Sequence, residues 1–217
     1  MTVTDLINLF RLHTQDSELP GNGDDSYSFF KNDEIIEYLS EAQQEFSRQT
    51  NIYKVNRNLT ARVSANKEWV YIDPNVLAIK NVYLDNKPID LLTHKDIENT
   101  YQWELTTGTP TALIIDLELD YLRVYPIPTE TTVFSLSVEQ LPEALANTKS
   151  ELEIPEKFHR KLLHYALFLG FSKQDADSFD PQAADKQLAL HEKALDDARR
   201  EIGIRYKKPR IVKYGGL

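Results

Sequence analysis

The sequence predicts an α+β protein: an antiparallel helix bundle interrupted by an inserted antiparallel β domain and followed by an extended C-terminal tail. Three observations predict it. Helical periodicity governs both ends, at Val3, Leu6, Ile7 and Phe10 and again at Ala184, Leu188, His191, Leu195, Ala198 and Ile202. The middle alternates at every second residue, most plainly where Phe134, Leu136 and Val138 interleave with Ser135, Ser137 and Glu139. Beyond Gly203 the chain turns basic, with Arg205, Lys207, Lys208, Arg210 and Lys213 and no acid. The expected boundaries are 1–55 and 149–203 for the two parts of the helical core, 56–148 for the β domain and 204–217 for the tail.

The first helix begins near Val3, with Thr2 or Thr4 as its cap. Residues 15–28 gather Asp, Ser, Gly, Asn and Pro, which is loop chemistry. Asn32 is the expected N-cap of a second helix, with Asp33 and Glu34 complementing the dipole in its first turn. Ile35, Leu39, Ala42 and Phe46 mark its apolar face, and it should run to about Asn51. Strands are expected around Leu59–Val63, Trp69–Ile72, Val76–Leu84, Ala112–Leu117, Tyr121–Tyr125 and Phe134–Val138. Asp85-Asn86-Lys87 reads as a hairpin turn, and Lys95–Thr100 as a short helix. Pro126 and Pro128 bar further pairing in a central strand.

Pro155 suits the first turn of a third helix, whose Leu162–Phe171 run is apolar except at His164 and Gly170. Such a run must be contacted from more than one side, at the centre of a bundle or between subunits, and it is too short to cross a bilayer. After an acidic elbow at Asp175–Asp180, Pro181 opens a fourth helix with Asp180 as its N-cap. The stripe from Ala184 to Ile202 is a packing face, and Leu188, His191 and Leu195 on it are the candidate subunit interface.

Composition narrows the function. The 217 residues carry 41% hydrophobic and 27% charged content, the balance of a soluble globular protein that can build its own core. Cysteine is absent, which excludes disulfides and thiolate metal sites. No cationic segment precedes a long apolar run at the N-terminus, so no secretion signal is expected, and no membrane association. The net charge is −9; with five cations beyond Gly203, the rest of the chain stands at −14. A body that acidic is unsuited to neutralising DNA phosphates.

Candidate chemistry is sparse. Asp116, Glu118 and Asp120 would share one strand face if extended, about 6.6–6.8 Å apart in succession; a solvated face explains them better than a metal site or a glycosidase pair. Asp175, Asp177 and Asp180 resemble the start of a calcium loop, without the Gly or the twelfth-position Glu that one needs. His13, His94, His159, His164 and His191 form no i, i+4 pair. Neither a nucleophile elbow nor a phosphate loop is present, so the expectation is a protein without catalysis, cofactor or metal. The tail interleaves cations with Tyr206, Ile211, Val212 and Tyr214; plain disorder and a segment that orders on a protein partner both stay open, and a nucleic-acid arm fits it least.

Taken in succession, several stretches resemble the head-to-tail adaptor (connector) proteins of short-tailed bacteriophages. They are Phe30–Gln43 (FKNDEIIEYLSEAQ); Trp103 followed by Gly108-Thr109-Pro110; Leu122–Pro128 (LRVYPIP); Glu153-Ile154-Pro155 with Phe158-His159; and Asp175–Pro181 (DADSFDP). The resemblance implies a non-enzymatic virion protein, made in the host cytoplasm and placed at the head–tail junction. It would form a dodecameric ring between the portal protein and the tail nozzle protein, with DNA passing its channel without specific binding. It also implies that the tail docks on the portal, through Arg205, Tyr206, Lys207, Lys208, Arg210, Ile211, Val212, Lys213 and Tyr214. Two other classes stay open on the residues alone. One is a monomeric ligand- or peptide-binding module; the other is a carbohydrate-active protein using Trp69, Trp103 and the Asp116–Asp120 carboxylates.

Overall fold

The computed structural model describes residues 1–16, 29–52, 54–174 and 179–205. The chain divides into two compact units, Met1–Ile52 with Pro142–Leu217, and Tyr53–Leu141. The first is helical and the second is mostly sheet, so the fold class is α+β.

In the helical unit, α1 (Val3–Thr14) starts on a capping box: the Thr2 hydroxyl accepts from the Asp5 N–H at 3.2 Å, and the Asp5 carboxylate accepts from the Thr2 N–H at 2.8 Å. The second helix, α2 (Asn32–Thr50), ends at Asn51 in the left-handed conformation. Its N-cap is Lys31, one residue earlier than the sequence suggests. Asn32 is drawn elsewhere, its side-chain oxygen Oδ1 accepting from the Arg11 guanidinium at 3.0 Å. Arg11 and Asp16 are both buried, their charged atoms 3.7 Å apart. The Asp16 carboxylate also accepts from the N–H groups of Phe29 and Phe30, at 2.9 and 3.1 Å.

Two further helices of this unit follow among the described residues. A 3-10 turn over Glu156–Phe158 leads into α4 (His159–Phe171), so Pro155 lies ahead of the turn and not within the helix. The helix packs against α1, against α2 and against α5 (Pro181–Arg205), which accounts for an apolar run that no single face could cover. Phe10 meets Phe30 edge-on at 5.2 Å, and a Cβ added at Gly170 would lie 2.7 Å from the Phe10 ring. Only glycine admits that approach. At the start of α5 the Asp180 carboxylate accepts from the N–H groups of Gln182 and Ala183, each at 3.0 Å, which is the expected cap. Asp175 and Asp177 of the elbow lie outside the described residues.

The second unit holds β1 (Lys54–Val63), β2 (Trp69–Tyr71), β3 (Val76–Leu84), β4 (Lys87–Leu92), α3 (His94–Ile97), β5 (Thr107–Gly108), β6 (Ala112–Glu118), β7 (Tyr121–Tyr125), β8 (Ile127–Pro128) and β9 (Thr132–Gln140). Seven strands form one sheet in the order β1-β9-β3-β4-β6-β7-β2, nearly closed because β2 returns beside β1. Asp85 and Asn86 both take positive φ, 49° and 62°, and make the two-residue turn of the β3–β4 hairpin. Phe134, Leu136 and Val138 on β9 are fully buried at the centre of the core.

The expectation of an antiparallel domain needs correction. The β4–β6 pair is parallel, as is the small β5–β8 pair. The chain between β4 and β6 passes through α3 and a 3-10 turn at Trp103–Leu105, a crossover long enough to bring β6 back in the same direction. Pro128 does pair, but only in that two-residue outlier ladder.

Candidate functional site

The stripe of α5 faces its own protomer. His191 is 3% exposed and Leu195 is 7%, while Leu188 is half-buried beside them. The His191 ring lies 4.9 Å from the Tyr165 ring of α4, tilted against it by 49°, and its Nδ1 is buried without a hydrogen-bond partner among the described residues. Burial pushes the imidazole down to about 4; the negative charge of Glu45 opposes this and His164 adds to it. His191 is therefore neutral near pH 7. Burial pushes the Tyr165 hydroxyl up, with Glu41 and Glu45 adding to it.

An open groove runs along these residues, walled by Glu45 and Gln49 from α2 and by Glu192 and Asp196 from α5. Arg199 bridges its floor, donating to the Gln49 carbonyl and side-chain oxygens at 2.8 and 2.9 Å. The other histidines of this unit with described contacts are structural ties as well. The ring nitrogens of His159 lie 3.0 and 2.8 Å from the carbonyl oxygens of Met1 and Ile154, and His164 Nδ1 lies 2.9 Å from Gln187 Oε1.

In the sheet unit the three strand acids part company. Asp116 accepts from the His94 N–H at 2.6 Å, at the first residue of an α3 that Thr93 and Asp96 cap, Glu118 ends β6, and Asp120 sits in the following turn at φ 62°. The ladder shifts between Ile114 and Glu118, so the regular face that alternation suggests does not form. No group of three His, Asp or Glu side chains that could hold a metal ion occurs among the described residues. Trp69 and Trp103 are joined through Arg123, whose guanidinium lies 5.6 Å from one ring centroid and 4.7 Å from the other. Arg123 also donates to Glu68 at 2.8 Å and to the Glu104 carbonyl at 2.9 Å. Sequence reading missed Arg123. Its partners are set by the Trp69–Arg123 register between β2 and β7, which periodicity does not reveal.

Tyr206, Lys207, Lys208, Arg210, Ile211, Val212, Lys213 and Tyr214 lie outside the described residues; Arg205 is the last residue of α5. The geometry thus offers packing and surface, with its polar groups engaged in holding elements together. Comparison with known families agrees in kind: the family described as SU10 adaptor protein, phage head-tail adaptors, matches residues 1–212. The chain belongs to the SU10 adaptor family.

The match crosses both units, so it is the whole order of helices, strands and helices that carries it. This adaptor is a phage structural protein, part of the virion, that meets other head and tail proteins. No helix among the described residues is long and apolar enough to cross a membrane. No curated protein matches the chain.

Proposed function

We propose that this adaptor assembles as a closed ring of twelve copies beneath the portal and joins it to the tail nozzle, leaving a channel for DNA. The single observation that carries this is the family match from residue 1 to residue 212. The charge distribution supports it. A chain at −9 whose first 203 residues hold −14 offers DNA a surface that repels it, which suits a conduit better than a binder. A ring of identical copies needs a heterologous contact, one face of each protomer against a different face of the next. The open groove beside Leu188, with His191 and Leu195 at its base, is one face we assign to that contact.

Electron microscopy of the purified protein, alone and mixed with the portal from the same phage, tests the reading. Rings stacked on the portal are expected. Absence of any association while the portal rings stay intact would overturn it and leave a monomeric binding module.

A further inference from the structure

Along one side of the sheet unit, β3 and β6 diverge. The β4 strand pairs with β3 only at Val82–Leu84 and with β6 only at Ala112–Ile114. Between Val76–Ile79 and the β6–β7 turn this leaves a groove of about 410 Å³. Apolar side chains wall it: Leu77 and Ile115 are each 42% exposed and Leu119 is 88% exposed. Asp73, Glu118 and Asp120 rim it, with no cation among its described lining residues. The side of β3 facing the groove carries no ladder to any described residue between Val76 and Asn81. An unpaired strand edge of that kind is a template for an added strand.

We propose that the groove receives residues 210–214 of a neighbouring copy, added as a strand along β3. Three observations select this occupant. The sequence Arg210-Ile211-Val212-Lys213-Tyr214 is rich in strand-forming residues, and Pro209 stands ahead of it. Its cations, Arg210 and Lys213, complement Asp73, Glu118 and Asp120, whereas the acidic remainder of the chain would be repelled. Five extended residues span about 17 Å, enough to lie along the unpaired stretch of β3. The inference rests on the ring reading only for a neighbour to supply the segment. It gives that segment a seat on the next copy, where the sequence resemblance gives it one on the portal.

The chain has no cysteine, so single-cysteine variants report the contact cleanly. Full-length Leu77→Cys is mixed with full-length Val212→Cys, and in parallel with Ile211→Cys to sample both faces of the strand, under mild oxidation. Circular dichroism confirms that each variant is folded. One of the two pairings should cross-link about tenfold more than Tyr101→Cys does with the same partner, since a seated segment has a high effective concentration. Tyr101 is 85% exposed in the same unit and lies away from the groove lining. Adding Glu118→Lys to the Leu77→Cys chain should cut the yield several-fold. Yields no higher than the Tyr101→Cys control overturn the proposal. If those yields stay low while Val212→Cys carrying a thiol-attached photo-cross-linker captures added portal, the strand seat fails and the ring reading stands. Strong cross-linking with no ring on any portal would fail the ring reading and keep the contact between copies.

Discussion

Gly170 and His191 show how single residues are fixed by the packing of the helical unit. At Gly170 a methyl group would enter the space of the Phe10 ring, 2.7 Å away, with Phe30 at 3.6 Å behind it. Overpacking of this kind costs about 1–3 kcal/mol, against a gain of about 1 kcal/mol from replacing glycine in a helix. Gly170→Ala should therefore destabilise by up to about 2 kcal/mol, read as a lowered denaturant midpoint with an unchanged slope. His191 gives a pH signature. Its imidazole is held at about 4 in the folded chain against an ordinary value of 6.5, so between those values the unfolded chain binds the extra proton. Its contribution is full above pH 6.5 and is lost as pH falls from 6.5 to about 4. His191→Gln should flatten the fall of the thermal midpoint across that window. An equal fall in both proteins would refute the assignment.

At the scale of elements, period carries far and pairing does not. The apolar spacings of Val3–Phe10, Ile35–Phe46 and Ala184–Ile202 locate three helices because each stripe is buried by its own neighbours. The alternation at Phe134–Val138 locates β9 for the same reason. Caps are legible where the side chain has one local task. Asp180 binds the first turn of α5, and Asp180→Ala should cost about 1 kcal/mol, lowering the melting temperature by about 2–4 °C, while Asp180→Asn holds it. Asn32 misleads because its amide serves Arg11 across the unit, a partner that local sequence does not announce. The β4 strand escapes notice because Pro88 and Asp90 dilute its pattern, and its parallel pairing with β6 depends on a crossover. Both candidate grooves share that limit. One depends on how far β4 runs beside β3, the other on which residues of α2 stand over His191. Neither follows from spacing along the chain.

At the scale of the molecule, the two units are built to be separable. Among the described residues, the helical core draws on α1, α2, Leu145, Ile154, Phe158, α4 and α5, and on none from the inserted unit. Among the described residues, the sheet core draws only on the inserted unit: Phe134, Leu136 and Val138 come from β9, Leu113 from β6, and Leu122 and Val124 from β7. Entry and exit of the inserted unit also lie together, because Lys54 at the start of β1 pairs with Gln140 at the end of β9. Directly opposed residues of an antiparallel pair have Cα atoms about 4.5–5.5 Å apart, a gap that a few residues can span. Replacing residues 53–141 with a short Gly-Ser linker should therefore leave a helical protein that unfolds cooperatively, and residues 53–141 expressed alone should give a cooperative β-sheet protein. Far-UV circular dichroism with thermal melts measures both. A helical remainder that melts without cooperativity would show that the first core needs the second unit to order it, since a core complete in itself has no reason to lose its transition when an insertion with adjacent ends is removed. The same pair of proteins separates the surfaces by function: the groove beside Leu188 stays with the helical remainder and the strand seat beside Leu77 goes with the sheet. Under the proposed ring, the helical remainder should lose the Leu77 contact while keeping the Leu188 one, so its self-association should be weakened in sedimentation velocity and not abolished.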